Sequence, residues 1–394
     1  MKRLFAVLLI ACFVFCCAAG CGAETQAPAE ETAAPEVQES AAPITIRTID
    51  YDALYALHED DYVVMTINGE DITWDVYFYV LFTQAQTVQS HFESMAAYYG
   101  ITADWEDPYD EDGNSFIDMV ISSTEDSLKQ IVAIETFAKE NDVELSQDIL
   151  EQIKAQEEND IITVCGENGT REDFDEYLKS IHMSRSTYEL MNRLNFVYQQ
   201  NYIQIYGELG EKLDEESAMN YLKDNSYISA NHILFLTKDM ATGEDLDESV
   251  AEEKKATAEK LAKELQAITD TEELLERFAE LKAEYCEDSG KTLYAEGYTF
   301  TPGTMVAEFE DTCLSLEPYG VSDPVQSSYG YHIIMSLPLD PDAVIEYSNS
   351  GTAMNAYSYA SNDKYMDDLD QLRTGAELVF AEDFEQINLV EFIK

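Results

Sequence analysis

Apolar and polar positions follow two different spacings along the chain, and the first begins near residue 63. Val63–Ile67 is a short apolar run followed by Asn68-Gly69, a dipeptide typical of the tight turn between two strands. Apolar positions resume at Ile72 and lead into a longer pattern. We therefore predict a strand, a two-residue turn, and then either a second strand or the start of a helix.

From about residue 70 to residue 226 the apolar positions recur every three or four residues, as they do on one face of an α-helix. Several of these segments open with Ser, Thr or Asp, the side chains that cap helix N-termini. The pattern predicts a helical domain over residues 46–226, without a convergent set of catalytic side chains. Its clearest apolar stripe is formed by Ile117, Val120, Ile121, Leu128, Ile131, Val132, Ile134 and Phe137.

Residues 227–338 have apolar runs of strand length at both ends and helical spacing between them. The two outer runs, ANHILFLT and YGYHIIMSL, each contain a single histidine, His232 in the first and His332 in the second. A histidine in a buried strand needs partners for its ring nitrogens, which favours the two strands as neighbours. We predict a compact α+β domain whose small central antiparallel sheet places these strands side by side.

The C-terminal segment, residues 339–394, contains one amphipathic helical stretch and an apolar end. It is too short to bury a core of its own, so we expect it to dock on the helical domain. The predicted fold class is α+β, with a helical chaperone-like domain followed by the smaller sheet-containing domain.

The N-terminus has the pattern of an export signal. A positively charged start precedes an apolar stretch, residues 4–19, that is too short for a permanent membrane span. It ends in AAGC, which resembles the lipobox of bacterial lipoproteins, in which the cysteine is lipidated. We predict a lipoprotein signal peptide over residues 1–20 and an extracytoplasmic protein anchored to the cell membrane through Cys21; an ordinary secretory peptide is the alternative. Residues 21–45, rich in Ala, Glu and Pro, are predicted to be a flexible linker.

Acidic residues far outnumber basic ones, since 79 Asp+Glu against 23 Lys+Arg give a net charge of −56. Such a charge repels nucleic acid and favours cationic or unfolded basic partners. The acidic loop EDPYDEDGNS does not fit the calcium-loop template, because Pro108 falls at the first ligand position and Met119 replaces the bidentate glutamate. We predict neither a nucleic-acid site nor a metal site.

Three cysteines follow Cys21, namely Cys165, Cys286 and Cys313. An odd number allows at most one disulfide within the chain, and no pair has the spacing of zinc ligands. We predict that they are buried free thiols.

Three motifs in residues 227–338 resemble those of the parvulin-type peptidyl-prolyl isomerases, as found in PrsA-like foldase lipoproteins. NHILF resembles the opening strand of that family, GTMVAEFEDTCLSL its G-x-M-x-x-x-F-E helix, and GVSDPVQSSYGYHIIMSL its closing strand with G-x-H-I-I. The three occur in the family's order at the separation of one domain. The resemblance implies an isomerase that acts on X-Pro bonds and needs no cofactor and no metal.

The resemblance assigns a binding surface for the proline ring to Met305 and Phe309, with Tyr329 beside it. The sequence places Met305 and Phe309 four residues apart, one turn apart if both lie on a helix. In that arrangement the two side chains grip the ring from the same side. Substituting either by alanine is then expected to lower turnover while the domain still folds. Ordinary core packing is the alternative for both.

The resemblance also assigns the paired histidines to His232 and His332, the group facing the substrate carbonyl to Asp288, and a hydroxyl near the second histidine to Ser327. We expect the histidines to form a buried polar network that orients Asp288, rather than to act as acid and base. The family has a cysteine or an aspartate in this role, and the position falls in YCEDSG here. A helix-terminus or turn residue is the alternative for Asp288. The family's glycine-rich GG-x-LG passage is replaced here by KTLYAEGYTF, so the loop after Asp288 departs from the pattern.

Two functions fit these observations. The first is an exported foldase that isomerises prolines in unfolded clients, and the second is a parvulin-like chaperone that binds exported clients without catalysis, which the altered loop favours. An extracytoplasmic solute-binding protein is not favoured, because that class needs repeated βαβ units around parallel sheets.

Overall fold

The computed structural model of the protein describes residues 46–394, apart from residues 383, 385 and 386. The predicted signal peptide, the predicted lipidation site Cys21 and the predicted linker up to residue 45 lie outside the described residues.

The chain divides into two compact units. The first contains the chain up to Gln204 together with Met366–Lys394, and the second is Ile205–Tyr365. Residues 205–226 and 339–365 thus group with the second unit, whereas the sequence pattern predicts them in the helical domain and in the docked C-terminal segment. The domain boundaries remain predictions.

The first unit contains a three-stranded antiparallel sheet in the order β2-β1-β9, formed by β1 (Val63–Ile67), β2 (Glu70–Thr73) and β9 (Leu378–Phe380). Asn68 and Gly69 make the turn between β1 and β2 with φ of 53° and 82°, values that suit these two residue types. The sequence prediction of a strand and tight turn is confirmed here, and the following segment is both a strand and a helix start.

Six helices, one short 3-10 helix and the end of a later helix, Ala356–Thr374, complete the described part of this unit. The six helices and the 3-10 helix are α1 (Tyr51–Tyr55), α2 (Trp74–Tyr99), α3 (Phe116–Glu140), α4 (Gln147–Cys165), α5 (Arg171–Ser180), α6 (Arg185–Tyr206) and the 3-10 helix Leu389–Phe392. Ser115 caps α3 and exchanges hydrogen bonds with Asp118 in a capping box, as the Ser at this position predicts. Of the predicted stripe on α3, only Ile117 and Ile121 are partly exposed, because they lie near its first turns.

The second unit is built on a four-stranded antiparallel sheet in the order β4-β3-β6-β5. Its strands are β3 (Ile228–Leu236), β4 (Tyr298–Phe300), β5 (Val325–Gln326) and β6 (Gly330–Leu337). The two histidine strands, β3 and β6, pair at its centre, which confirms the predicted α+β domain with a small antiparallel sheet.

Helices cover both faces of this sheet. Side chains of α8 (Glu248–Gln266) and α9 (Thr271–Tyr285) pack with Ile233 and Ile333 in one buried cluster. Side chains of α10 (Ala307–Ser315) pack with Ile334 in another cluster. Because side chains alternate between the faces of a strand, both histidines lie on the α10 face.

The remaining elements of the second unit are α7 (Glu215–Asp224), the two-stranded hairpin of β7 (Glu346–Tyr347) and β8 (Ala353–Met354), and the start of α11 (Ala356–Thr374). Beyond Met366 the chain belongs to the first unit, where β9 pairs with β1. Among the described residues no helix is both long and apolar enough to cross a membrane.

All three cysteines of the described chain are free. Cys286 and Cys313 are buried, whereas Cys165 at the end of α4 is partly exposed.

Candidate active site

The two histidines meet in the middle of the sheet. In the register of β3 with β6, His232 lies opposite Ile334 and His332 lies opposite Leu234, so the imidazoles are diagonal neighbours on one face. Their Nδ1 atoms are 3.1 Å apart and their rings are nearly parallel, with an angle of 20° between the planes. Both side chains are buried. The structure therefore brings together two residues that are one hundred positions apart in the sequence.

Asp288 lies in the segment that follows α9, and its carboxylate faces the first histidine. Oδ2 of Asp288 is 3.0 Å from Nε2 of His232, and Oδ1 accepts the backbone N–H of Gly290 at 3.1 Å. The side chain of Asp288 is 18% exposed. It is thus the charged member of the cluster that keeps some access to solvent.

Cys286, two residues earlier, points to the interior instead. Its sulfur accepts the backbone N–H of Leu234 at 3.4 Å and the side chain is buried. Of the two residue types that the resemblance allowed in YCEDSG, only the aspartate faces the histidine.

Ser327 forms the other end of the cluster. Its Oγ is 2.7 Å from Nε2 of His332 and accepts the backbone N–H of Tyr329 at 3.1 Å. Tyr329 itself lies in the turn between β5 and β6, and its side chain is 44% exposed. Its backbone therefore holds the serine, while its ring is free to meet a ligand.

These contacts allow one consistent assignment of protons with both imidazoles neutral. The carboxylate of Asp288 requires a proton on Nε2 of His232, so Nδ1 of that ring accepts from Nδ1–H of His332. Nε2 of His332 is then an acceptor, and the hydroxyl of Ser327 donates to it. The hydrogen bonds run in one direction from the serine to the aspartate.

The electrostatics agree with this assignment. Burial and, to a smaller extent, the adjacent His232 lower the pKa of His332 to about 3, against the opposing effect of Asp288. The hydrogen bond from His232 holds the pKa of Asp288 well below its usual range; burial opposes this effect, while the hydroxyl of Tyr298 and the N–H of Gly290 reinforce it. At neutral pH the cluster thus contains a neutral His332 and an ionised Asp288.

The apolar side of the site is formed by Phe309 on α10. Its ring makes edge contacts with both imidazoles, at centroid distances of 5.3 Å to His232 and 5.7 Å to His332. Phe309 is only 3% exposed and belongs to the core cluster under this face of the sheet. The ring packs against both imidazoles on the α10 face of the sheet, and little of its surface reaches solvent.

Met305 does not lie on the same helix as Phe309, contrary to the sequence expectation. Helix α10 begins at Ala307, and Met305 precedes its N-cap residue. The carboxylate of Glu310 accepts the backbone N–H groups of Gly303 and Met305, at 3.0 and 2.7 Å, and this holds the segment as a loop over the first turn. Met305 nevertheless packs, partly buried, against the cluster that contains Phe309.

Tyr298 is a site residue that the sequence reasoning missed. It opens β4, its hydroxyl donates to Oδ2 of Asp288, and its ring meets that of His232 edge-on at 5.6 Å. Burial raises the pKa of the Tyr298 hydroxyl, and the adjacent carboxylate raises it further, so the phenol stays protonated. Tyr298 falls in KTLYAEGYTF, the passage that departs from the family's glycines, and that departure was the signal that could have found it.

Within the described part of the chain, no group of three or more His, Cys, Asp or Glu side chains is arranged to hold a metal ion.

One protein-family model matches the part of the chain that carries this site. The family described as "Rotamase: PPIC-type PPIASE domain" matches residues 232–337. The chain contains a parvulin-type rotamase domain. This parvulin domain includes both histidines, Asp288, Phe309 and Ser327 within the matched residues.

Curated relatives match over the same part of the chain. Foldase protein PrsA of Oceanobacillus iheyensis is 36% identical over 126 residues, which is 32% of this chain and 34% of that protein. Foldase protein PrsA 1 of Bacillus cereus is 41% identical over 123 residues, covering 31% of this chain and 33% of that protein. The chain thus spans about a third of the length of these relatives.

Among solved structures, PrsA from Bacillus subtilis aligns with 80% of this chain and 92% of its own, at 16% identity and a TM-score of 0.24. A score of this size does not establish a common overall arrangement.

Proposed function

We propose that the parvulin domain catalyses cis/trans isomerisation of X-Pro bonds in unfolded, exported proteins. The observation that carries this proposal is the continuous hydrogen-bonded chain from Ser327 through both histidines to Asp288, with Phe309 against both imidazoles. Such a chain fixes a carboxylate beside an apolar surface.

The reaction rotates an amide and breaks no bond, so it requires neither a nucleophile nor a metal. An X-Pro bond faces a barrier of about 20 kcal/mol and isomerises in tens to hundreds of seconds unaided. The twisted amide loses resonance and carries a less polar carbonyl than the planar amide. A surface that stabilises the twisted form more than the planar form accelerates rotation, and about 8 kcal/mol of such preference corresponds to about a millionfold.

We assign the proline ring to the apolar side chains of Met305 and Phe309, with Tyr329 at the edge. Phe309 is 3% exposed, so side chains that cover it have to move before a proline ring can make full contact with it. We assign this movement to the flexible side chain of Met305, which packs against the same cluster. Burial of the ring there removes water from the neighbouring amide. This desolvation favours the less polar, twisted amide.

Asp288 acts on the carbonyl in this mechanism. The planar amide has the more negative oxygen, so a nearby carboxylate repels the planar form more than the twisted form. The low pKa of Asp288 keeps it ionised, and the bonds from His232 and Tyr298 hold its orientation. The histidines support the carboxylate and transfer no proton to the substrate.

We extend the proposal to the whole chain on sequence grounds. The N-terminal pattern ending at Cys21 supports export and a lipid anchor in the cell membrane. The relatives named as foldases support unfolded exported clients as partners. The net charge of −56 adds a preference for basic clients.

A proline-peptide isomerisation assay on residues 22–394 tests the proposal. We expect isomerisation above the uncatalysed rate, and at least about a tenfold loss of kcat/KM in Asp288→Ala. An unaccelerated rate with a correctly folded protein contradicts the enzyme. Exposed Lys260 on α8 supplies a control, since Lys260→Met leaves the site untouched.

The second candidate is a chaperone that binds clients without catalysis. The burial of Phe309 favours it, because a closed apolar surface grips a proline ring poorly. It predicts suppression of client aggregation together with an unaccelerated isomerisation rate. The two candidates are therefore separated by the same assay combined with an aggregation measurement.

A further inference from the structure

Lys282 on α9 is a buried cation close to the site. It is 3% exposed, and its Nζ donates to three oxygens: Oδ1 of Asn231 at 2.7 Å and the backbone carbonyls of Tyr294 at 2.6 Å and Ala295 at 3.1 Å. Among the residues that the structure describes, no carboxylate forms an ion pair with it. Its three protons thus meet three neutral acceptors.

Burial of an ammonium group at such a position carries a large desolvation free energy. Removing it from water costs several kcal/mol unless its donors are satisfied. Burial lowers the pKa of Lys282, whereas Cys286 and Asp288 act in the opposite direction. The three oxygens satisfy all three donors of the ammonium group and, together with Cys286 and Asp288, favour the charged form of the lysine.

The oxygens that it binds belong to the segment leading to Tyr298. The carbonyls of Tyr294 and Ala295 lie just before β4, and the ring of Tyr294 stacks on that of Tyr298 at a centroid distance of 4.6 Å. Gly297 is packed so closely that a Cβ there would lie 2.8 Å from the carbonyl oxygen of Ala230. The position of the whole segment thus determines where the Tyr298 hydroxyl lies.

The third oxygen connects Lys282 to the first histidine. Oδ1 of Asn231 also accepts the backbone N–H of His232 at 2.9 Å, and Nδ2 of Asn231 donates to the carbonyl of Ala295 at 3.2 Å. Lys282 and Asn231 together connect α9, β3 and the segment before β4 by hydrogen bonds, and we call this connection the Lys282–Asn231 tie. It positions both groups that meet Oδ2 of Asp288, the imidazole of His232 and the hydroxyl of Tyr298.

We propose that Lys282 is a positioning residue for the X-Pro site. Its ammonium group holds residues 294–295, so that the hydroxyl of Tyr298 and the imidazole of His232 reach the same oxygen of Asp288. The residues that Lys282 holds lie in KTLYAEGYTF, which stands where the family has its glycine-rich passage. This role of Lys282 deepens the proposal for the same site. It rests on the proposed isomerase function.

A double-mutant cycle with Tyr298→Phe in residues 22–394 tests the proposal. We expect Lys282→Met to lower kcat about tenfold, with KM changed less than about twofold, because the site is misplaced rather than the binding surface removed. In the Tyr298→Phe background the same substitution should lower kcat clearly less than in wild type, because one of the two contacts to Asp288 that Lys282 positions is already absent. Additive losses, or wild-type kcat in Lys282→Met, overturn the proposal.

Hydrogen exchange gives a readout that does not depend on activity. In Lys282→Met the backbone amides of residues 291–297 should exchange at least about tenfold faster, while those of β6 stay protected as a check on folding. Lys282→Gln, which keeps two of the three donors, should fall between wild type and Lys282→Met. The exposed Lys260→Met serves as the matched control.

The two readouts separate this proposal from the isomerase assignment. If the wild-type protein does not accelerate isomerisation, the proposed function fails. Faster exchange in Lys282→Met that is confined to residues 291–297 still shows that Lys282 holds this segment. Unchanged exchange in Lys282→Met and in Lys282→Gln overturns the tie itself. If β6 also loses protection in Lys282→Met, that variant is misfolded and Lys282→Gln becomes the test. Unchanged kcat and unchanged exchange of residues 291–297 in Lys282→Gln then overturn the proposal.

Discussion

At the scale of single residues, Phe309 shows how burial changes the meaning of a motif position. The resemblance assigned it to a substrate surface, where truncation should affect turnover alone. In the structure its ring packs against both imidazoles and Phe300 and is almost wholly buried. A side chain in this position stabilises the fold, in addition to any contact that it makes with a ligand.

We therefore expect Phe309→Ala and Met305→Ala to differ. Loss of the buried ring should cost about 3–5 kcal/mol of unfolding free energy, whereas the partly exposed Met305 should cost less than about 2 kcal/mol. Met305→Ala should lower kcat/KM in a folded domain, whereas Phe309→Ala should lower the unfolding free energy together with turnover. Urea unfolding and the isomerisation assay on both variants check this, and equal stability losses contradict it.

His332 makes stability depend on pH. Its folded pKa of about 3 lies below its ordinary value of 6.5, so below pH 6.5 the unfolded chain binds a proton that the folded chain does not. Its contribution is complete above pH 6.5 and is lost as the pH falls towards about 3, by up to about 1.4 kcal/mol per pH unit. Asp288, whose pKa is also lowered, acts in the same direction at the acid end of this range.

Urea unfolding between pH 7 and pH 5 measures this dependence, with His332→Gln as the comparison. We expect the variant to be less stable at pH 7, because His232 and Ser327 lose a partner, and to lose less stability on acidification. Parallel pH curves for the two proteins exclude His332 as the cause.

At the scale of elements, the site depends on the register of β3 and β6. Because side chains alternate on a strand, a slip of one residue would turn one histidine to the opposite face and separate the rings. The tight start of β6 helps to set this register. Gly330 has φ of 152°, and a Cβ there would lie 2.0 Å from the carbonyl oxygen of Phe235 on β3.

We expect Gly330→Ala to destabilise the parvulin domain by about 2–4 kcal/mol, since it combines backbone strain with a clash against a paired strand. Gly303 is the matched control: it has φ of 87°, and a Cβ would meet nothing within 4 Å. Gly303→Ala should cost only about 1 kcal/mol. Thermal or urea unfolding compares the two, and similar costs would show that the contact with β3 is unimportant.

At the scale of the whole molecule, the dominant property is the acidic charge. A net charge of −56 attracts basic chains over distances that salt shortens, from about 10 Å at 0.1 M to about 3 Å at 1 M. This long-range attraction adds to any apolar binding of an unfolded client.

We expect the protein to suppress aggregation of a basic unfolded client more strongly than that of an acidic client of similar length at low salt. The difference should shrink in 1 M NaCl, because exposed charges are then screened. Light scattering of both clients at the two salt concentrations measures this. Equal suppression that is insensitive to salt would exclude charge as a source of client preference.

The sequence by itself determined the fold class and the pairing of the histidine strands. Strand and helix periods, the Asn68-Gly69 turn and the Ser115 cap are encoded by residues close together in the chain, so they can be read locally. The three parvulin motifs likewise place His232 and His332 in order along the chain, and the family match covers them.

Only the tertiary structure decided the contacts between segments that the motifs do not describe. The bond from Tyr298 to Asp288 and the tie from Lys282 to the carbonyls of Tyr294 and Ala295 lie in the passage that departs from the family. The burial of Phe309 likewise appears only once α10 packs on the sheet. The physical reason is that periodicity states which face a residue occupies, whereas burial and hydrogen-bond partners depend on the elements that pack against that face.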